Sequence, residues 1–258
     1  MSDQSYNTIP GITASSLKAG RLSMAHMRFQ MLRPRDSGGE TPAMRMGTLA
    51  HMALLEPLRC VSECVIFCGN KTKQPKEWKE FKAENKGRQI VTRAEMDMLT
   101  GMSKASKADK SVRRALADVK ETEKAITWND KNYGVAKARL DGFGVGTLLE
   151  YKTTKNIERA AFMRQCEGLG YHIQLGWYWH GCGRPADVFM VAQEKTEPYC
   201  CGVFRVPHVT LELAYEEADS LARKYRICEG LNVFPGPYDS IVDYERPGYA
   251  GPDMDDDD

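Results

Sequence analysis

The sequence predicts a mixed α/β protein, a small β-sheet flanked by helices behind a helical amino-terminal region. Three observations carry that prediction. The apolar pattern keeps a helical period as far as about residue 120 and then alternates as strands do. From there the segments run strand, strand, strand, helix, strand, strand, helix, an order that suits a mixed core rather than separate all-α and all-β parts. The composition, 42% hydrophobic and 28% charged over 258 residues, is that of an ordinary globular chain. Nowhere do about 18 apolar residues run together, as a membrane-spanning helix needs. The first residues, Met1 to Pro10, lack the basic start and apolar stretch of a secretory signal, so a soluble, cytoplasmic protein is expected. With no internal repeat or long linker, the expectation is one domain over residues 1–252: a helical part over about 12–120, a core over about 121–250, and an acidic, disordered tail over 253–258.

Each element has its own signal. Thr13 or Ser15 can cap a helix running through Leu17, Leu22, Met24, Met27, Phe29 and Met31, which Pro34 closes. Residues 35–43, rich in Gly, Ser, Pro and charge, read as a loop. Gly47 to Leu55 forms a short apolar helix ended by Pro57, with His51 on an otherwise oily surface. Thr92-Arg-Ala-Glu95 is a capping box that opens a helix, and Ser103 to Lys120 is a second helical stretch. Glu123 to Trp128 and Tyr133 to Asp141 read as strands, with Thr147 to Thr153 a third after the turn Gly142-Phe-Gly-Val-Gly146. Arg159 to His180 is helical, Asp187 to Gln193 and Cys200 to Val206 are strands, and Leu211 to Cys228 is an amphipathic helix.

Charge and cysteine content bound the function. With 36 Lys+Arg against 35 Asp+Glu the formal charge is +1, which argues against a protein that holds nucleic acid through bulk positive charge alone. The balance is uneven along the chain. Residues 71–124 carry 15 Lys/Arg against 9 Asp/Glu, whereas Asp253 and Asp255 to Asp258 make the end acidic; without those five aspartates the charge is +6. Within the basic stretch Lys104, Lys107, Arg113 and Arg114 are candidates to contact phosphates, with a solvated helix surface the equal alternative. Cys60, Cys64 and Cys68 recur every four residues and the other five cysteines are scattered. No C-x-x-C pair occurs, so free thiols are expected and an iron–sulfur cluster is not.

The chemistry concentrates in Arg139-Leu-Asp141 and Leu149-Glu150-Tyr-Lys152-Thr-Thr154. Glu150 and Lys152, two apart on a strand, share a face that Tyr151 does not. The glycine-rich turn can bring Asp141 alongside Glu150. Two carboxylates with a backbone carbonyl form the hard oxygen set that Mg²⁺ or Mn²⁺ takes, and a neighbouring lysine can move a proton or steady charge on a phosphate. Alone, an Asp followed nine residues later by Glu-x-Lys is a weak signal that a surface hairpin with an ion pair also produces. On the next helix Gln174 and Tyr178 lie at i and i+4 on one face. His51 upstream offers an imidazole ligand, although a lone histidine on an apolar helix is more often a core residue.

Taken together, Gly47 and His51, Asp141, Glu150 and Lys152, and Gln174 and Tyr178 resemble the signature of the PD-(D/E)XK nuclease superfamily in its RecB-like branch. More narrowly, the chain is similar to the RecE (exonuclease VIII) nuclease domain and related phage exonucleases. Ile12-Thr-Ala-Ser-Ser-Leu17, Gly47-Thr-Leu-Ala-His51 and Val191-Ala-Gln-Glu-Lys195 carry further parts of the resemblance, which spans residues 9–250. Met24 stands where that family often has proline, and Glu150 where many relatives have Asp. The resemblance implies a restriction-endonuclease-like core. It implies His51, Asp141, Glu150 and the Tyr151 carbonyl as Mg²⁺ ligands, Lys152 acting on the attacking water, and Gln174 and Tyr178 holding that lysine or the scissile strand. It adds a glutamate ahead of the core, for which Glu121 and Glu123 both qualify, and leaves Arg139 to meet a phosphate or a carboxylate. The iron–sulfur branch places a cysteine trio after the Gln/Tyr helix, a spacing that Cys182, Cys200, Cys201 and Cys228 do not reproduce. The activity implied is 5′→3′ exonuclease action on double-stranded DNA ends, leaving 3′ strands for a single-strand annealing protein. A homo-oligomer, with relatives that form rings, and a phage or prophage origin in a bacterial host go with it. Two other readings are a catalytically idle DNA-end-binding protein of the same fold and a RecB-like nuclease with another task, such as Cas4-like spacer processing.

Overall fold

A computed structural model describes residues 6, 8–33, 41–70 and 72–242. The chain opens on two short helices where one was expected. Thr13 closes a capping box on α1 (Ala14–Gly20), and Ser23 accepts the His26 N–H to begin α2 (Met24–Leu32), so the hydroxyl of Ser23 restarts what periodicity alone reads as continuous. Pro34 lies outside the described residues, as do most of the loop at 35–43 and the acidic tail. Thr41 caps α3 (Pro42–Leu55), which therefore starts well ahead of Gly47. Pro57 does more than end α3: its ring suits the first position of α4 (Pro57–Glu63).

The helical region also holds a small sheet that the sequence did not announce. β1 (Cys64–Phe67) and β2 (Gln89–Thr92) pair in parallel, joined through α5 (Pro75–Glu84). Trp78 and Phe81 of α5 pack on Phe67, with ring centroids 5.1 and 5.2 Å apart. The Thr92–Glu95 capping box opens α6 (Arg93–Ala108), as expected. Asp109 then caps a separate α7 (Lys110–Leu116), which splits the predicted stretch 103–120 and ends it before the first core strand.

The main sheet has five strands in the order β3 (Val119–Asp130), β4 (Gly134–Gly144), β5 (Thr147–Thr154), β6 (Asp187–Glu194) and β7 (Cys201–Arg205). Neighbours are antiparallel except β5 and β6, which run parallel across α8 (Arg159–Gly168) and α9 (Tyr171–Gly181). β4 continues through Gly142 and Gly144, so Asp141 and Arg139 lie within the strand instead of at its end. The turn proper is Val145-Gly146, with Gly146 at φ +73°. Gly170, at φ +64°, breaks the helix predicted over 159–180. The chain's long last helix is α10 (His208–Leu231). Among the described residues no helix is long and apolar enough to cross a membrane.

Helices cover both faces of the sheet. One core joins α3, α6 and α7 to Leu149, Tyr151 and Val191; another joins α8, α9 and α10 to Leu140, Leu148, Val188 and Met190. A third packs α1 and α2 against α9 and α10 around Trp177, whose ring sits 5.0 Å from Trp128 and 5.3 Å from Tyr133. Helices α9 and α10 approach so closely at Gly176 that a Cβ there would lie 2.5 Å from the Tyr215 nitrogen and 2.7 Å from the Ala214 carbonyl carbon. Both are backbone atoms and cannot swing aside. Gly176→Ala is expected to cost roughly 1–3 kcal/mol and to lower Tm by several degrees in a thermal melt. An unchanged Tm would mean that the two helices are not in such contact.

Candidate active site

β4 and β5 part company where the charged residues gather. Their ladder runs from Gly144↔Thr147 only to Gly142↔Leu149. Beyond it the Tyr151 N–H donates to Asp141 Oδ2 at 2.8 Å, so a carboxylate occupies the gap between the strands. On the other side β3 also deforms. Glu123 adopts φ +51°, and the ladder to β4 skips it, pairing Thr122 with Gly142 and Lys124 with Leu140. A left-handed backbone costs a non-glycine residue on the order of 1–3 kcal/mol.

That deformation decides between the two candidate glutamates. Glu121 points outward and pairs with Lys124 at 2.6 Å. Glu123 places Oε1 at 3.1 Å from His51 Nδ1, while His51 Nε2 stands 3.2 Å from Asp141 Oδ1. His51, one helical turn after Gly47 on α3, is thus held between carboxylates from β3 and β4. One ligand atom from each of His51, Glu123 and Asp141 fits within 4.8 Å of the others.

Glu150 stands beside this trio, fully buried. Its Oε1 accepts hydrogen bonds from Lys152 Nζ and Gln174 Nε2, and its Oε2 is buried with no partner. Glu150 and Lys152 therefore share a face, while the Tyr151 ring goes the other way, its hydroxyl donating to Gln193 Oε1 at 2.6 Å. Gln174 contacts Glu150, not Lys152, and its Oε1 accepts from Lys18 Nζ at 2.6 Å. The Tyr171 ring has Lys18 Nζ 5.1 Å and Lys152 Nζ 5.0 Å from its centroid. Neither Lys18 nor the stacking role of Tyr171 carries a sequence signal. Tyr178 is held in the core next to Gln174, and burial raises its pKa well above the ordinary phenol range.

The electrostatics follow from this crowding. Burial and the nearby Asp141 push Glu150 up to about 7, against the pull of Lys152. For Lys152, burial is outweighed by Glu150 and Asp141, so the ammonium form is favoured. Burial also acts against charge on His51 and Asp141, but the close pairing of the two, 3.2 Å apart, outweighs it, raising the first and lowering the second. Burial and Lys152 bring Lys18 down to about 8.

His51, Glu123, Asp141 and Lys152 line one open cleft of about 810 Å³, walled by Met44, Gly47 and Thr48 of α3 and by Thr153, Tyr171 and Lys195 opposite. With this geometry in view, the chain can be set beside known proteins. No protein-family model matches it, and no curated protein matches it at a significant level. Its fold has a solved counterpart. The crystal structure of a candidate exonuclease from Eubacterium rectale is similar over 95% of this chain and 96% of that one, with a TM-score of 0.62 and 12% sequence identity. A likeness at that identity is one of fold, a mixed α/β core with small sheets flanked by helices.

The remaining predicted contacts lie elsewhere. Arg139, on β4, has its Nε 3.8 Å from Glu123 Oε2, so a carboxylate is its neighbour. Lys104 and Lys107 are on the exposed side of α6, and Arg113 and Arg114 on α7; none of the four lines the cleft. Of the cysteines, Cys60 and Cys64 are buried with their sulfurs 3.9 Å apart, and Cys68 and Cys200 are exposed.

The donor set, one imidazole and two carboxylates with an orphaned buried carboxylate oxygen beside them, suits a hard divalent cation. Cation binding would have to displace a proton from His51 and from Glu150, both of which hold protons more tightly than usual in the metal-free protein. Binding should therefore release protons and tighten as pH rises through about 7. Calorimetric titration with Mn²⁺ is expected to show weaker binding and more protons released at about pH 6.5 than at about pH 8.5. Affinity that does not change with pH would contradict this arrangement.

Proposed function

We propose that the protein is a divalent-metal-dependent DNA exonuclease of the PD-(D/E)XK kind. The observation that carries the reading is the convergence of one ligand atom each from His51, Glu123 and Asp141 within 4.8 Å of the others, next to Glu150 and Lys152. The fold it shares with the Eubacterium rectale candidate exonuclease agrees with it. In this reading His51, Glu123 and Asp141, with Glu150 and the Tyr151 carbonyl, hold Mg²⁺ or Mn²⁺. When bound there, such a cation would supply Lewis acidity to a phosphoryl oxygen and lower the pKa of water.

The chain's own residues then have distinct tasks. Lys152 keeps its ammonium against Glu150 and faces the cleft, where it can orient the attacking water and offset charge that builds on the phosphate. Gln174, fixed by Lys18 on one side, orients Glu150 on the other. Tyr178 buttresses Gln174 from the core. Tyr171 confines both lysines, which limits where their charge can go.

Polarity 5′→3′, a 3′ overhang handed to a single-strand annealing protein, a homo-oligomer around DNA and a phage-type recombination role are supported by the sequence resemblance. One experiment separates them from the general reading. Linear duplex labelled at the 5′ or the 3′ end and closed circular duplex are incubated with Mg²⁺. Loss of 5′ label first, with the circle intact, is expected. Cleavage of the circle would replace the exonuclease by an endonuclease, and loss of 3′ label first would reverse the polarity.

A further inference from the structure

Beyond the residues already assigned, the cleft contains two lysines that the proposed chemistry does not use. Lys155 follows the last residue of β5, and Lys195 follows the last residue of β6. The two strands are parallel and in register to their last residues, Thr154 opposite Glu194, and each lysine follows directly after its strand. Both line the same cleft as His51 and Asp141. Neither has an ion-pair partner among the described residues. The obvious carboxylate, Glu194, is committed elsewhere, accepting the Ile157 N–H at 2.9 Å.

The backbone under each lysine is pinned. Thr154, buried at 2% exposure, has its hydroxyl on the Asn156 carbonyl and on Gln165 Oε1, both at 2.9 Å, and the Asn156 carboxamide oxygen accepts the Glu158 N–H at 2.7 Å. After Lys195, the Tyr199 N–H donates to the Thr196 carbonyl at 2.8 Å, and Glu194 pairs through its N–H with the Cys200 carbonyl at 3.0 Å. Two positive side chains thus enter one cleft on fixed supports, with no ion-pair partner among the described residues. An anion bound in that cleft would be attracted by both.

The order of the strands gives the site its direction. Glu123 is on β3, Asp141 on β4, Glu150 and Lys152 on β5, and the two lysines at the ends of β5 and β6. Negative groups that suit a cation therefore pass, strand by strand, into positive groups that suit a phosphate. From Lys152 to Lys155 the strand advances about 10 Å, which matches the rise of about three nucleotides.

We infer that Lys155 and Lys195 form a clamp for a backbone phosphate of the bound DNA strand, about three nucleotides from the bond that is cut. The inference rests on the nuclease reading above and adds to it how the strand is held. The ligand is the phosphodiester itself, so the clamp is indifferent to base sequence.

The test is binding without cleavage. A short blunt DNA duplex is titrated in EDTA against the native protein, the Lys155→Ala/Lys195→Ala variant, and a control, Lys131→Ala/Lys224→Ala, that removes two exposed lysines outside the cleft. The clamp predicts that the first variant loses about 10-fold in affinity, with the slope of log K against log salt shallower by about 1, and that the control stays near native. With Mg²⁺ the clamp variant should show a raised KM for linear DNA and a kcat within about twofold of native. Native cleavage with native-like binding by the clamp variant would overturn the clamp and leave the enzyme standing, as would an equal loss in the control, which would indicate bulk charge alone. A native protein that neither binds nor cuts DNA would overturn both.

Discussion

Lys152→Ala is expected to slow Mg²⁺-dependent nucleotide release by about 10²–10⁴-fold while the protein still binds the cation. Lys152 Nζ contacts Glu150 Oε1 and lies against Tyr171 at the wall of the cleft, yet it belongs to none of the groups that would ligate the metal. Its removal takes a positive charge away from the phosphate side of the site and leaves the His51, Glu123 and Asp141 trio intact. Glu150 loses its partner, but its pKa, already near 7, lets it take up a proton instead of remaining as a bare buried charge. Stability should therefore fall by less than the 3–5 kcal/mol that breaking a buried pair can cost. Rates from quenched time courses and a thermal melt with and without Mn²⁺ separate the effects. Activity within tenfold of native would remove Lys152 from the chemistry.

Asp141→Asn is expected to act one step earlier, at metal binding. Asp141 serves four neighbours at once: Oδ1 faces His51 Nε2, Oδ2 accepts the Tyr151 N–H, and its charge is felt by Glu150 and Lys152. Asparagine keeps the shape and can keep the bond from Tyr151, but it brings no negative charge to a cation. A ligand present at about 100 times its Kd stabilises the folded state by about 2.7 kcal/mol. The rise in Tm that Mn²⁺ gives the native protein should therefore shrink to near zero in the variant, and nucleotide release should drop by on the order of 10³-fold. A variant that still gains the full Tm shift would place the cation elsewhere.

Much of the fold was readable because its signals are local. Thr92 with Glu95, the alternation through Glu123–Asp141 and Thr147–Thr153, and the apolar run of Asp187–Gln193 each state an element within a few residues. Errors fell where a single residue overrides a periodic pattern, at Ser23, Asp109 and Gly170, or where the element is very short, as in β1 and β2. The site shows the same division. His51, Asp141, Glu150, Lys152 and Gln174 recur at spacings that a strand or helix converts into a shared face. Glu123 could not be preferred to Glu121, because only its left-handed backbone turns it toward His51, and a glutamate gives no sign of adopting φ +51°. Lys18 reaches Gln174 across 156 positions, and Lys155 and Lys195 enter one cleft only through the parallel pairing of β5 and β6. Contacts of that kind are products of topology, which no window of sequence contains.

The proposed activity is hydrolysis of DNA with a divalent cation in the cleft between α3 and the β4–β5 parting. Release of acid-soluble nucleotides from linear duplex DNA by the native protein is its most direct test. Release that requires Mg²⁺ or Mn²⁺, stops in EDTA and returns when the cation is restored is the predicted result. No release with either cation, or release that continues in EDTA, would contradict it.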